Sequence, residues 1–232
     1  MYRTYLVLFT ITFISIINLK NASCKSLEKQ IDSLNSYAYS ISSSNHAKAF
    51  VIVDSVLSLS VNIGYTKGEA DALRIKGLSL FYGIQYSQAL LLFIKSQEKY
   101  KQIGDTIGLC NANNLIATVY SYQGFHEKAL EKHRENLAIR RIINDQEGIS
   151  MSLNNIAVTL RSLGKLHESL NYYRFSLEII AKSDDIRSYG RVLNNIGNLF
   201  LELHQPDSAF LYFQKSLTWL IHKLKFRYIF FK

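Results

Sequence analysis

Apolar and small side chains recur along this chain with a period of forty residues. Four segments align without a gap when they are started near Asp71, Asn111, Met151 and Arg191. Two columns of the alignment hold only small residues, which are Gly77, Ala117, Ala157 and Gly197 in the first and Ala89, Ala129, Ser169 and Ala209 in the second. A repeat of this length is typical of solenoids, in which each repeat buries its apolar face against its neighbours.

Each repeat is predicted to contain two helices, because its apolar residues recur three and four positions apart. The first helices are expected at about 70–83, 110–123, 150–163 and 190–203, and the second helices at about 86–101, 126–141, 166–181 and 206–220. Gly124 and Gly164 are expected to end first helices in the left-handed conformation, and Pro206 lies near a helix start. Gly64, Gly104 and Asn144 are expected to mark the turns between repeats.

These helices define the predicted domains. The repeats cover 70–109, 110–149, 150–189 and 190–220, and a degenerate helix pair at 25–69 is predicted to cap their N-terminal side. The predicted fold class is therefore an all-α, right-handed superhelical solenoid of antiparallel helix pairs. Residues 221–232 form an apolar and basic tail, for which a continued helix, a membrane-surface segment and a truncated end are all open interpretations.

Residues 1–24 are predicted to be a secretory signal peptide. Arg3 precedes an apolar run that ends near Leu19, and a small, polar stretch leads to Cys24. Export predicts a periplasmic location or membrane association on the extracytoplasmic side. Cleavage after Ser23 or Cys24, lipidation of Cys24 and an uncleaved anchor remain alternatives, since Asn21 stands where a lipobox usually has an aliphatic residue.

Composition and charge restrict the remaining function classes. With 48% hydrophobic residues and one proline, the chain has enough apolar matter for a continuous helical core. The net charge of +9 is scattered and has no basic run longer than Arg140 and Arg141, so no nucleic-acid partner is expected.

The sequence carries no catalytic or metal-binding motif. Its six histidines lack the H-E-x-x-H spacing, its glycines form no phosphate-binding loop, and Cys24 and Cys110 are too few for a four-thiolate zinc site. We therefore expect a protein without enzymatic activity, cofactor or metal.

The repeats resemble those of tetratricopeptide repeat proteins. The residues that carry the resemblance are Ile156, Ala157, Ile196, Gly197, Leu160 and Phe200 in first helices, and Ala129, Leu130, Ser169, Leu170, Ala209, Phe210, Tyr173, Phe213, Leu177 and Leu217 in second helices. The period of forty departs from the usual thirty-four, and is similar to that of kinesin light chains and of sensor proteins from Bacteroidetes-like bacteria. The resemblance implies that a protein or peptide binds in a concave groove lined by the first helices.

Asparagines recur in the first helices, although asparagine is a poor helix former. Asn114, Asn154 and Asn194 share one column, and Asn155 and Asn195 share the next. The resemblance implies that they face the groove and hydrogen-bond the main chain of an extended ligand. Further groove candidates by helical spacing are Asn111, Thr118, Tyr122, Arg161, Arg191, Asn198 and Glu202. Alternatively, the asparagines bond adjacent repeats or face solvent.

Two functions are compatible with this sequence. The first is an exported scaffold or adaptor that binds a protein or peptide. The second is the sensory part of a signal-transduction regulator, a histidine kinase or a transcriptional regulator, without its output domain. Only Arg74 and Arg191 could contribute to a carboxylate clamp, so a ligand held by its terminal carboxylate is not expected.

Overall fold

A computed structural model describes residues 24–183 and 185–230, with side chains as far as Ile221, and every regular element in that part is a helix. The predicted all-α fold is confirmed. The helices are α1 (24–41), α2 (His46–Ile63), α3 (Thr66–Tyr82), α4 (Tyr86–Gln102), α5 (Thr106–Tyr122), α6 (His126–Ile142), α7 (Gln146–Ser162), α8 (Leu166–Ile180), α9 (Ile186–Glu202) and α10 (Pro206–Phe230). The predicted signal peptide lies outside the described residues, except for Cys24.

The first helices begin four residues before their predicted starts, at Thr66, Thr106, Gln146 and Ile186. Aspartate caps explain the difference at α5, α7 and α9, whereas α3 begins after Tyr65 without a side-chain cap. Asp105 Oδ1 accepts a hydrogen bond from the Gly108 N–H at 2.8 Å, and Asp145 Oδ1 accepts one from the Gly148 N–H at 2.9 Å. An aspartate that bonds the amide three residues later starts a helix, whereas the pairs Gly104-Asp105 and Asn144-Asp145 suggest a turn on sequence alone.

Turn residues with positive φ recur every twenty residues from Gly64 to Gly164, and His204 follows at the same register. Gly64, Gly104, Gly124 and Gly164 have φ between 70° and 81°, which confirms the left-handed conformation predicted for Gly124 and Gly164 and shows it at Gly64 and Gly104 as well. Asn144 has φ of 54°, and the same conformation is imposed on Ile84 (φ 64°) and His204 (φ 57°). A forty-residue repeat is therefore built from two halves whose turns share one backbone conformation. No such turn interrupts α10, which continues to Phe230.

Glycine permits a close approach between the two helices of a repeat. A Cβ atom added at Gly77 would lie 2.6 Å from the Phe93 ring, and one added at Gly197 would lie 2.5 Å from the Phe213 ring. Real Cβ contacts are not this short, so the small column exists because an aromatic ring occupies the space. Ala157, in the same column, is fully buried beside Tyr173 in one cluster.

Serine hydroxyls connect the two helices of three repeats. Ser96 Oγ donates to the Ala70 carbonyl at 2.8 Å, Ser176 Oγ donates to the Ser150 carbonyl at 2.8 Å, and Ser216 Oγ donates to the Gly190 carbonyl at 3.2 Å. In each pair the residues are 26 positions apart. In these three repeats the same side-chain bond thus fixes how the second helix lies on the first helix.

The chain divides into two compact units at Ala112 and Asn113, within α5. In unit 1, two apolar clusters form around α2, one with Ala38, Ala49, Val53 and Ile75 and one with Ile31, Val56 and Ala72. In unit 2, Leu130, Leu137, Ile149, Leu153, Ile156 and Leu160 form one cluster, and Ala157, Leu170, Tyr173, Val192, Ile196, Leu199, Phe200 and Ala209 form another.

By length and composition alone, α2 is apolar enough to cross a membrane. In unit 1, however, it buries Ala49, Val53, Val56 and Ser60, and its Asp54 carboxylate pairs with Lys76. One face of α2 is therefore packed against the rest of unit 1, and the opposite face, with Val51 and Val61, is exposed.

Replacing Ile84 by glycine should raise thermal stability. Holding a β-branched residue in the left-handed region costs the folded state about 1–2 kcal/mol, and glycine removes this cost. The relief exceeds the roughly 0.5–1 kcal/mol that glycine costs by adding entropy to the unfolded chain. Ile84 is 73% exposed, so little packing is lost. The melting temperature measured by circular dichroism should rise for Ile84→Gly. The reciprocal change Gly124→Ile should lower it, and a fall for Ile84→Gly would contradict this account.

Two glycines of α9 should respond oppositely to alanine. Gly197→Ala forces a methyl group onto the Phe213 ring and should destabilise the fold by about 1–2 kcal/mol. Gly190→Ala meets only the Ser216 hydroxyl, at 3.4 Å, and should stabilise by up to about 1 kcal/mol through helix propensity. Urea denaturation measures both changes. Equal effects would show that the ring does not limit the approach of the helices.

Candidate binding surface

Four asparagine side chains form a continuous hydrogen-bonded chain across three first helices of unit 2. Asn195 Nδ2 in α9 donates to Asn154 Oδ1 in α7 at 2.9 Å, and Asn155 Nδ2 in α7 donates to Asn114 Oδ1 in α5 at 2.6 Å. Asn154 Nδ2 donates to Asn155 Oδ1 at 3.3 Å, which joins the two bonds. The amides therefore run head to tail from α9 to α5.

This chain of amides supports the alternative interpretation of the asparagines, in which they bond adjacent repeats. Asn154 is only 6% exposed, and its amide already donates and accepts within the protein. The expectation that Asn154 lines a groove open to a ligand is therefore corrected. A buried amide needs such partners, and here the neighbouring repeat supplies them.

The other predicted residues of unit 2 lie on a half-buried or exposed face of the first helices, which we call the first-helix strip. On α9, Arg191, Asn194 and Asn198 are exposed, and on α5 Tyr122 is 64% exposed. The strip consists of Asn114, Thr118, Tyr122, Met151, Asn155, Val158, Arg161, Arg191, Asn194, Asn195, Asn198 and Glu202.

Met151 and Val158 were missed by the sequence interpretation, which considered polar side chains. They occupy the same columns as Arg191 and Asn198 and are 37% and 36% exposed. The forty-residue alignment could have indicated them, because it places them in the columns of two groove candidates. The strip thus combines apolar contact area on α7 with polar groups on α9.

Charged and polar side chains of the strip also interact within the protein. Arg161 Nε lies 3.4 Å from Glu202 Oε1, which links α7 to α9 in addition to the amides. The guanidinium of Arg191 donates to the neutral Ser188 hydroxyl at 2.8 Å. The Thr118 hydroxyl donates to the Asn114 carbonyl at 2.8 Å.

Two predicted residues lie in unit 1. Asn111 is half-buried in the first turns of α5, and Cys24 is a half-buried free thiol at the first described residue of α1. Lipidation of Cys24 stays a prediction.

A polar network occupies the first-helix face of unit 1. The Tyr100 hydroxyl donates to Asp71 Oδ1 at 2.5 Å, and Arg74 Nε donates to the Tyr100 oxygen at 3.2 Å. Burial first, and then the charge of Asp71, raise the pKa of Tyr100 above its ordinary value, against the opposing effect of Arg74. Arg74 is thus engaged inside the protein. Among residues 24–183 and 185–230, no group of three or more His, Cys, Asp or Glu side chains could hold a metal ion.

His133 replaces an aromatic residue of the repeat and is buried in α6, at 4% exposure. Its Nδ1 atom is buried and has no hydrogen-bond partner. Burial lowers the pKa of His133 from 6.5 to about 4. The imidazole is therefore neutral at physiological pH and acts as a packing group.

Comparison with known proteins identifies the repeats. The family model for the tetratricopeptide repeat matches residues 108–179 and 148–218, and the two matches together reach all three helices of the strip. The chain is a tetratricopeptide repeat protein. The tetratricopeptide repeats account for the small columns and for the paired helices described above.

Solved structures show the same fold at low sequence identity. A putative kinesin light chain with nearly identical TPR-like repeats, from Podosopora anserina, has 12% identity and a TM-score of 0.63, covering 82% of this chain and 95% of its own. Aspartyl phosphate phosphatase F from Bacillus subtilis has 15% identity and a TM-score of 0.69, over 80% of this chain and 50% of its own.

A third similar structure contains a bound peptide. It is the Rap conjugation gene regulator of the plasmid pLS20 in complex with the Phr* peptide, with 14% identity and a TM-score of 0.66. The match covers 78% of this chain and 50% of that protein. At these identities the likeness establishes the fold, and this chain matches about half the length of the phosphatase and of the Rap regulator.

Acid should destabilise this tetratricopeptide repeat protein through His133. The pKa of His133 is lower in the folded state, so below pH 6.5 the unfolded chain binds a proton that the native chain resists. The free energy of unfolding should therefore be at its full value above pH 6.5, and it should fall by up to about 3 kcal/mol as the pH drops towards 4. Urea denaturation at several pH values measures the loss.

Two variants separate this effect from other titrations. His133→Tyr places in α6 the residue type that Tyr173 provides in α8, and it should flatten the profile between pH 6.5 and 4. His167→Tyr, at an exposed position of α8, should leave the profile unchanged. A profile that His133→Tyr does not alter would assign the acid sensitivity to another group.

Proposed function

We propose that the first-helix strip of unit 2 binds an extended peptide or an extended segment of a partner protein. The observation that carries this proposal is the fixed register of α5, α7 and α9, which the chain of asparagine amides holds in place. Exposed side chains on the three helices then face one elongated ligand from a preformed surface. A preformed surface loses little conformational entropy when it binds.

The roles of the asparagines differ along the strip. Asn114, Asn154, Asn155 and Asn195 hold the helices together through their amides. Asn194 and Asn198 are exposed, and each can offer a donor and an acceptor to a peptide group of the ligand. Arg191 adds a positive charge beside them, which favours an acidic side chain in the ligand. Met151 and Val158 provide apolar contact on α7.

The peptide-bound Rap regulator supports a peptide as the ligand class, because its fold matches most of this chain. The same protein is a gene regulator, which favours a second candidate function for this chain, the sensory part of a signal-transduction regulator. In both cases the strip would be the recognition surface, and no catalytic step is assigned to it.

We place this binding outside the cytoplasm. The support is the sequence of residues 1–24, with its basic start, apolar run and small residues before Cys24. Cleavage would release the protein, and lipidation of Cys24 would attach it to a membrane surface.

A peptide-display selection tests the proposal. Twelve-residue peptides, about 35–40 Å long when extended, are selected on the immobilised full chain. The best of them is labelled, and its affinity is measured by fluorescence anisotropy. The double variant Arg191→Ala with Asn198→Ala should weaken binding about tenfold or more, because it removes a charge-assisted contact and an amide contact.

The matched control is Arg174→Ala with Asn171→Ala, since both residues are exposed on the second helix α8 of the same unit. This control should bind as the unchanged chain does. The strip would be refuted as the binding surface if both double variants lost the same affinity for the peptide, or if neither variant changed that affinity.

A further inference from the structure

A polar cavity of about 250 Å³ lies between α1 and α3 of unit 1. Its lining residues come from one face of each helix, because they are spaced three and four positions apart. They include Asp32, Asn35 and Tyr39 on α1 and Lys67, Asp71 and Arg74 on α3. These residues are distinct from the first-helix strip of unit 2, so the cavity is a separate feature of the molecule.

Asn35 brings an unsatisfied hydrogen-bond acceptor to the wall of this cavity. The residue is only 4% exposed, and its Nδ2 atom donates to the Gly68 carbonyl of α3 at 3.1 Å. Its Oδ1 atom is buried and has no hydrogen-bond partner among the described residues. A buried acceptor without a donor costs free energy. A group with an N–H or O–H that enters the cavity removes that cost.

Arg74 supplies hydrogen-bond donors on the opposite helix. Its Nε atom donates to the Tyr100 hydroxyl oxygen at 3.2 Å, and its Nη2 atom donates to Asp71 Oδ1 at 3.4 Å. A guanidinium has more N–H groups than these two bonds use. The guanidinium carbon lies 5.3 Å from the centre of the Tyr39 ring. Since Tyr39 lies one helical turn after Asn35 on α1, the donors and the unsatisfied acceptor are offset by about 6 Å along the helix.

The charged side chains around the cavity compensate one another. Lys67 Nζ lies 4.0 Å from Asp32 Oδ1 and 3.1 Å from Asp71 Oδ2. Arg74 pairs with Asp71 in turn, so the two carboxylates are balanced by the two cations. A ligand with a net charge would meet a like charge as well as an opposite one, whereas a neutral polar group meets no such repulsion.

We infer that this cavity binds a primary carboxamide, such as the side chain of glutamine. A carboxamide is neutral and has both N–H donors and a carbonyl acceptor. Its amino group donates to Asn35 Oδ1, and its oxygen accepts from the Arg74 guanidinium. Two hydrogen bonds of about 2.9 Å, on either side of one amide group, span a gap of this size. Ile75 also lines the cavity and offers apolar contact to the methylene groups of the ligand.

Three blocked amino acids test which group the cavity recognises. N-acetylglutamine methylamide and its glutamate and methionine analogues share their main-chain amides, and only the first has a primary carboxamide. Each is titrated into the ¹⁵N-labelled full chain, and chemical-shift changes give the dissociation constant. We expect a Kd of about 1 mM or below for the glutamine compound. The other two should bind at least tenfold more weakly, because glutamate meets the carboxylates and methionine lacks the hydrogen bonds.

Free glutamine and free glutamate separate two sources of the carboxamide. Free glutamine that binds more tightly than the blocked compound identifies the ligand as the free amino acid. Free glutamine that binds more weakly identifies it as a glutamine residue within a peptide. In both cases glutamine should bind more tightly than the corresponding form of glutamate, because the recognised group is the same.

Two substitutions in the cavity test the assigned contacts. Asn35→Leu removes the acceptor and keeps a branched side chain of similar shape, so it should weaken glutamine binding at least tenfold. It should leave the melting temperature unchanged or raise it, since it replaces a buried polar atom that has no partner. Arg74→Lys keeps the positive charge beside Asp71 but loses the planar guanidinium, and should weaken binding about threefold to tenfold. Asn62→Leu, at an exposed position of α2, is the matched control and should bind normally.

Four results would overturn the inference. The first is no binding of either form of glutamine up to about 10 mM, which would leave water as the partner of Asn35 Oδ1. The second is equal binding of the glutamine and methionine compounds. The third is binding that neither Asn35→Leu nor Arg74→Lys reduces. The fourth is binding that Arg191→Ala with Asn198→Ala abolishes, because the compound would then lie on the strip. The inference does not rest on the peptide binding proposed for the strip.

Discussion

The contact between a small first-helix residue and an aromatic second-helix residue determines much of this structure. At Gly77 and Gly197 the Phe93 and Phe213 rings occupy the space that a Cβ atom would need. Because the helices approach this closely, the carbonyls of first helices come within reach of second-helix serines, and the serine bonds then fix the pair. The stacking of one repeat on the next builds on pairs that are already rigid.

Between repeats of unit 2, polar groups define the register. Apolar packing alone tolerates small sliding movements, since dispersion and burial are not directional. An amide that must both donate and accept tolerates little sliding, because a buried unpaired group costs free energy. The asparagines thus give the first helices a defined alignment, and any ligand on the strip meets side chains at fixed distances.

The helical fold was predictable, because the forty-residue alignment shows the small columns and the turn glycines directly. Helix starts were harder to predict, since Asn144 and Asp145 suggest a turn on local grounds, and Asp145 begins a helix only because its carboxylate accepts from the Gly148 amide. The hydrogen bond between Asn155 and Asn114 could not be predicted from the sequence, for a different reason. Two adjacent asparagine columns lie on neighbouring sides of a helix, and only the rotation of that helix against the next decides which is buried.

The turns have a consequence for how such a chain can change length. Gly64, Gly104 and Asn144 adopt one backbone conformation at the same point of successive repeats. Duplication or loss of a forty-residue block that starts at any of them joins ends of similar backbone conformation, and it returns every later side chain to its former column. A twenty-residue change would also preserve the turn, but it would exchange first and second helices. A gain or loss of whole repeats is thus the change of length that this backbone accommodates with the least rearrangement.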